Sequence, residues 1–212
     1  MGKRVTTQQT IIEAAASVLL EKGLAKTSME IVSEAANIHR RTIYRYFPLR
    51  EDLFFEVAIF LLEEMNDYQR SLKESISGSG IEKFSTFLFD LTDYLDKRRP
   101  MLRFMGEFDF YFNEKRKYSP SKDLAARFFN ASKVYEDILS ELVHNGIEDG
   151  SIVLPKRPEV FIPTLSTVLW GTAQRAALRG KMIKDEFGVS GTEMIRCQIE
   201  LYIDAISAER KA

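Results

Sequence analysis

The chain has 212 residues, 45% of them hydrophobic, and a formal net charge of −1. That content is enough to bury a core in one large or two small domains, and the near-neutral balance excludes a protein that is basic throughout. Cys197 is the only cysteine and His39 and His144 are far apart, which excludes an intramolecular disulfide framework and a recognisable metal-ligand cluster.

No apolar run approaches the roughly 20 residues of a membrane span, and the N-terminus lacks a signal-like apolar region, so the reading is a soluble, cytoplasmic protein that makes no membrane contact. Gly-rich phosphate loops and nucleophile elbows are absent, which argues against an enzyme and predicts no cofactor and no metal. The charge is unevenly spread. Residues 1–50 hold eight basic side chains against four acidic ones, and the remainder carries the compensating acidic excess. A basic head on an acidic body points to a polyanionic partner.

The first helix is predicted from Thr6 or Thr7, as its cap, to Lys22, with Gly23 as its stop. Ile11, Ala15, Val18 and Leu19 give it one apolar face. Thr27 and Glu30 stand at capping-box spacing ahead of a short helix over Ser28–Ala36. Asn37 suits the left-handed turn that follows. A second short helix, Arg40–Phe47, then packs through Ile38 and Ile43 and ends at Pro48. Its outer residues, Arg40, Arg41, Thr42, Tyr44, Arg45 and Tyr46, form a basic and aromatic face with no acid between His39 and Arg50. Such a helix after a tight turn suits the major groove of double-stranded DNA, where arginine reaches guanine or phosphate and hydroxyls reach phosphate. Thr27, Ser28, His39 and Arg50 complete the predicted DNA-binding set, Arg50 as a phosphate anchor.

A long helix follows from Arg50 to about Ile76, before the flexible Ser77–Gly80. A fifth helix over Ile81–Lys97 turns Phe84, Phe87 and Leu91 inward, and Arg98-Arg99-Pro100 ends it. In the next helix Phe104, Phe108, Tyr111 and Phe112 share one face. Solid aromatic packing and a ligand cavity both account for that stripe. The cavity reading places Phe84, Phe87, Leu91 and Phe128 opposite it around an apolar or aromatic small-molecule effector, with Glu107 and Asp109 favouring a cation. The basic run 115–120 reads as an exposed loop, and a seventh helix spans Ser121–Glu148. Two last helices, Pro158–Arg179 and Thr192–Arg210, flank the connector GKMIKDEFGVSG. Their apolar faces, including Ile162, Leu165, Leu169, Ala173, Ile199 and a buried Cys197, are predicted to form half of a four-helix homodimer bundle.

The stretch AANIHRRTIYRYFPLREDLF resembles the helix-turn-helix of the tetracycline-repressor family through Ala36, Ile38, Thr42, Ile43, Tyr44, Tyr46, Phe47, Arg50, Glu51 and Leu53. Asn37 stands where the family pattern has a turn glycine, and His39 where it has a capping serine. The resemblance implies an all-α protein of about nine helices, with a DNA-binding head at 1–50 and an effector-binding and dimerisation body at 51–212. It also implies a homodimeric repressor that leaves a palindromic operator when a small molecule binds. The alternative is a DNA-binding regulator or architectural protein without an effector.

Overall fold

The computed structural model describes residues 6–114 and 118–208. Positions 115–117 of the basic run and Arg210 of the last predicted helix lie outside them. Among the described residues ten helices form, and the only β-type pairing is an isolated bridge between Ile152 and Ser207. The helices are α1 (Thr7–Lys22), α2 (Met29–Ala36), α3 (Arg40–Tyr46), α4 (Arg50–Ser75), α5 (Gly80–Asp96), α6 (Arg99–Glu114), α7 (Lys122–Glu148), α8 (Pro158–Arg179), α9 (Lys181–Phe187) and α10 (Gly191–Ile206). The additional helix is α9, which occupies the stretch predicted as a connector. At seven residues it is only about two turns long, with Ile183 its one buried residue.

Two compact units emerge. One comprises residues 1–64 and 103–132, the other 65–102 and 133–212. The first unit thus holds α1, α2 and α3 together with the first part of α4 and most of α6.

In the first unit, α1 buries Ile11, Ile12, Ala15, Ala16, Val18 and Leu19. Its N-terminus is capped by Thr6, whose hydroxyl accepts from the Gln9 N–H at 3.1 Å. Phe55 of α4 then gathers the aromatic side chains of α6 and the start of α7. Its ring lies 4.9 Å from Phe108, 4.7 Å from Phe112 and 5.3 Å from Phe128. Phe108 lies 4.5 Å from Phe112 and 6.0 Å from Phe104. These separations are those of directly packed rings.

In the second unit, α5 and α7 approach so closely that a β-carbon on Gly80 would lie 2.1 Å from the Gly146 α-carbon. Asp149 and Ser151, just beyond α7, complete the α5 N-terminus. The Gly80 N–H donates to Asp149 Oδ2 at 2.6 Å and the Ile81 N–H to Ser151 Oγ at 2.9 Å, so two orphan helix donors are satisfied from a distant segment. Arg196 of α10 pairs with Asp93 of α5. Helix α8 turns Ile162, Leu165, Leu169 and Ala173 inward, each 5% exposed or less, and Ile199 of α10 is fully buried. These residues were expected to face a second chain; they belong to the core of their own unit. Cys197, expected to be buried, is exposed.

Candidate nucleic-acid interface and ligand cavity

Helix α2 begins one residue later than its capping signal suggested. Ser28, not Thr27, is the cap, accepting from the Ile31 N–H at 3.4 Å. Thr27 is 2% exposed and its hydroxyl donates to the Gly23 carbonyl at 2.8 Å. It therefore serves the α1–α2 turn and presents nothing outward. Asn37 takes the left-handed conformation at φ 51° and ψ 44°. The Asn37 and Ile38 N–H groups donate to the carbonyls of Glu34 and Ser33, both at 3.1 Å, which is the hydrogen-bond pair of a Schellman turn. The Ser33 hydroxyl donates to the Ile38 carbonyl at 2.6 Å and locks the turn from the other side.

Helix α3 starts at His39, which makes no side-chain cap. Its inner face is reduced to Ile43 and, just past its end, Phe47, at 0% and 2% exposure. Because these two are four residues apart, most of the remaining helix surface points away from the core. Arg40, Arg41, Tyr44, Arg45 and Tyr46 are exposed and Thr42 is half-buried. Within this face the Arg40 guanidinium pairs with Glu30 of α2 and donates to the Tyr44 hydroxyl at 3.3 Å. Arg45 lies over the Tyr46 ring at 5.4 Å. Arg41 and Arg45 make no salt bridge among the described residues. Sequence spacing missed the Glu30–Arg40 pair because it joins two helices across the turn.

Arg50, expected to hold phosphate, also has partners within the protein. Its guanidinium donates to the Tyr111 hydroxyl at 2.9 Å and lies 3.5 Å from Glu51, whose carboxylate accepts from the same hydroxyl at 2.8 Å. Glu107 is also turned to the head, its Oε2 accepting from the Leu24 N–H at 2.7 Å. Arg103 donates to the Leu20 carbonyl at 2.6 Å. Side chains of α6 thus hold the last turn of α1 and the start of the connection that follows it.

The predicted effector-binding residues fall in both units. Phe104, Phe108, Phe112 and Phe128 are filled by one another and by Phe55, Tyr111 contacts Arg50 and Glu51, and Phe84 and Phe87 are fully buried in the second unit. Leu91 alone lines a cavity of about 380 Å³ in that unit, a volume within the range of small-molecule sites. Its wall is mostly aliphatic, from Leu88, Leu91 and Leu95 of α5, Leu102 of α6 and Leu169 of α8. Small residues make the room: Ala173, Ala176 and Ala177 of α8 line it. The sequence does not reveal this space, because Ala173 reads equally well as a helix–helix contact.

The tight turn at Asn37 and the arginine- and tyrosine-rich outer face of α3 have the geometry of a DNA-binding helix-turn-helix. Residues 11–57 match the family described as bacterial regulatory proteins, tetR family. Over 58 residues it is 38% identical to an uncharacterized HTH-type transcriptional regulator, YhgD, of Bacillus subtilis (strain 168); the match spans 27% of this chain and 30% of that protein. Two solved structures share the fold. A TetR transcription regulator from Haloarcula marismortui superposes with TM-score 0.67 at 17% identity, covering 95% of this chain and 98% of that one. Thermus thermophilus FadR, a TetR-family repressor solved with lauroyl-CoA, gives TM-score 0.61 at 20% identity, covering 93% and 94%. Among the described residues no helix is long and apolar enough to cross a membrane, and no group of histidine, cysteine and carboxylates is placed to hold a metal ion.

Proposed function

We propose that the protein is a cytoplasmic homodimeric repressor that binds a palindromic operator through α3 and leaves it when a small molecule fills the cavity lined by Leu91. The observation that carries this reading is the outward face of α3, where Arg41 and Arg45 are exposed and held in no ion pair among the described residues. Arginine at such positions reads guanine or holds phosphate. Arg50, already engaged by Tyr111 and Glu51, acts as a positioning residue for the helix that follows.

The cavity favours an effector-responsive regulator over one that acts by DNA binding alone, and the lauroyl-CoA complex of the similar FadR supports the same choice. A ligand there shifts the protein only through unequal affinity for its DNA-competent and DNA-incompetent states. Helix α6 is the candidate link, since Arg99 and Leu102 line the cavity while Arg103 and Glu107 of the same helix grip the α1–α2 turn. Dimerisation is assigned to the outer faces of α8 and α10, where Val160, Val168, Leu178 and Leu201 stay exposed.

Operator selection with the purified protein, followed by binding titrations at several salt concentrations, tests the reading. Arg45→Ala or Arg41→Ala is expected to cost about 1–3 kcal/mol and to relax preference at one operator position. A pair of variants with unchanged operator affinity and unchanged salt slope would remove α3 from the interface.

A further inference from the structure

We propose that the ligand of this cavity is an apolar-tailed anion, its tail against the leucines of α5 and its acidic group held by Arg99, Lys181 and Lys184. The inference rests on the reading of the cavity as the effector site and adds the ligand's chemical class.

The polar groups of the lining carry the argument. Three cationic side chains, Arg99 of α6 and Lys181 and Lys184 of α9, stand against one carboxylate, Asp96. That carboxylate is already committed. Its Oδ1 accepts from Arg99 Nε at 3.1 Å, from Arg99 Nη2 at 2.6 Å and from the Thr192 hydroxyl. The other hydroxyls are engaged as well: Thr92 donates to the Leu88 carbonyl at 2.7 Å, and Ser190 accepts from the Glu193 N–H at 3.1 Å. The Tyr135 hydroxyl, the Trp170 indole N–H and the Lys181 ammonium make no hydrogen bond or ion pair among the described residues, and Lys184, whose charge also acts on the Glu193 carboxylate, forms no direct salt bridge there; all four are donors. Burial raises the Tyr135 phenol and keeps it protonated at neutral pH. A donor-rich mouth on an aliphatic chamber is completed by a ligand that brings acceptors and negative charge at one end of a hydrocarbon. The cation expected from Glu107 and Asp109 finds no site here, because neither residue lines the cavity and Glu107 is bound to the Leu24 N–H.

A carboxylate and a phosphate-bearing acyl thioester share this chemistry, and the test separates them. Trp170 is the only tryptophan of the chain and lines the cavity, so its emission reports occupancy of this site. The full-length protein is titrated with decanoate, decanoyl-CoA, decanol and decylammonium, each below its aggregation threshold, and operator affinity is followed in parallel. At least one of the two anions is expected to bind about tenfold or more tightly than the alcohol and the amine, the size of one charge-assisted contact. The tighter of the two anions identifies the source of the acidic group. Lys181→Gln/Lys184→Gln is expected to lower anion affinity about tenfold while leaving decanol affinity unchanged, and Arg99→Gln to do the same if the protein stays folded by circular dichroism. Equal binding of decanol and both anions, an anion affinity unmoved in the double-lysine variant, or no Trp170 response to any probe overturns the proposal. Anion binding at Trp170 that leaves operator affinity untouched upholds the ligand class and defeats the effector reading instead.

Discussion

Removing the Glu107 carboxylate isolates the joint between α6 and the head. Glu107 Oε2 accepts from the Leu24 N–H at 2.7 Å, and a β-carbon added to Gly23 would come within 3.0 Å of the same oxygen. Leu24 is 5% exposed, so its N–H has little access to water once the carboxylate is gone. A hydrogen bond to a charged group contributes about 1.5–3 kcal/mol, and an unpaired buried donor costs about the same. The additional ion pair with Arg103, at 3.7 Å with both partners about one-third exposed, is screened and adds about 0–1 kcal/mol. Glu107→Ala should therefore lower stability by about 2 kcal/mol, read as a reduced urea midpoint at constant slope. Glu107→Gln, which keeps an amide oxygen for the same N–H, should lose about half of that. Amide hydrogen exchange localises the effect, because Leu24 should exchange faster in the alanine variant than in the parent. A Leu24 amide with parental protection together with an unchanged midpoint would show that the contact carries no weight.

Gly80→Ala should destabilise the second unit by about 3 kcal/mol or more in thermal unfolding, since its new methyl meets backbone atoms of Gly146 that have nowhere to move; a wild-type melting temperature would mean that α5 and α7 separate freely. Val168→Glu or Leu201→Glu should produce folded monomers in sedimentation, whereas Ile199→Glu, at a fully buried site, should unfold the chain; a dimeric Leu201→Glu/Val168→Glu variant would move the interface elsewhere. Burial pushes the Asp96 carboxyl up, but hydrogen bonds from Thr192 and Arg99 and the Arg99 charge outweigh it and leave the folded pKa below the ordinary value of 3.8. Its stabilising contribution is accordingly complete above about pH 4–5 and lost as pH falls through the folded pKa. Asp96→Asn should flatten the acid limb of stability against pH, and parallel curves for parent and variant would contradict that.

The head was legible because its signals are local. Asn37, Ile43 and Gly23 each dictate a backbone conformation or a buried face within a few residues, and each appears where the sequence put it, whereas Ile38, the other expected packing residue, is only half-buried. The cap of α2 was misassigned because Thr27 and Ser28 are adjacent hydroxyls of equal capping chemistry, and only the Gly23 carbonyl above Thr27 decides between them. In the body, periodicity could not choose between faces. Helix α8 is apolar both along Ile162, Leu165, Leu169 and Ala173 and along Val160, Val168 and Leu178, so which stripe turns inward depends on α5 and α10. The aromatic stripe of α6 was equally ambiguous, because the ring that fills its hollow, Phe55, lies about fifty residues upstream. Helix α9 escaped notice because glycines bound it at both ends, and a segment of seven residues carries too few apolar positions to show a period.

The grip of α6 on the α1–α2 turn also sets an order of events during synthesis. The Leu24 N–H and its Glu107 partner are separated by 83 positions in the chain. At translation rates of about 5–20 residues per second, roughly 4–17 s pass between the emergence of the two. Throughout that interval the nascent helix-turn-helix has its own internal contacts but lacks the carboxylate that satisfies its buried turn. Phe55 waits a somewhat shorter time for Phe128. The segment that reads DNA is made first, yet the last contacts of its compact unit form only after more than half of the chain has left the ribosome.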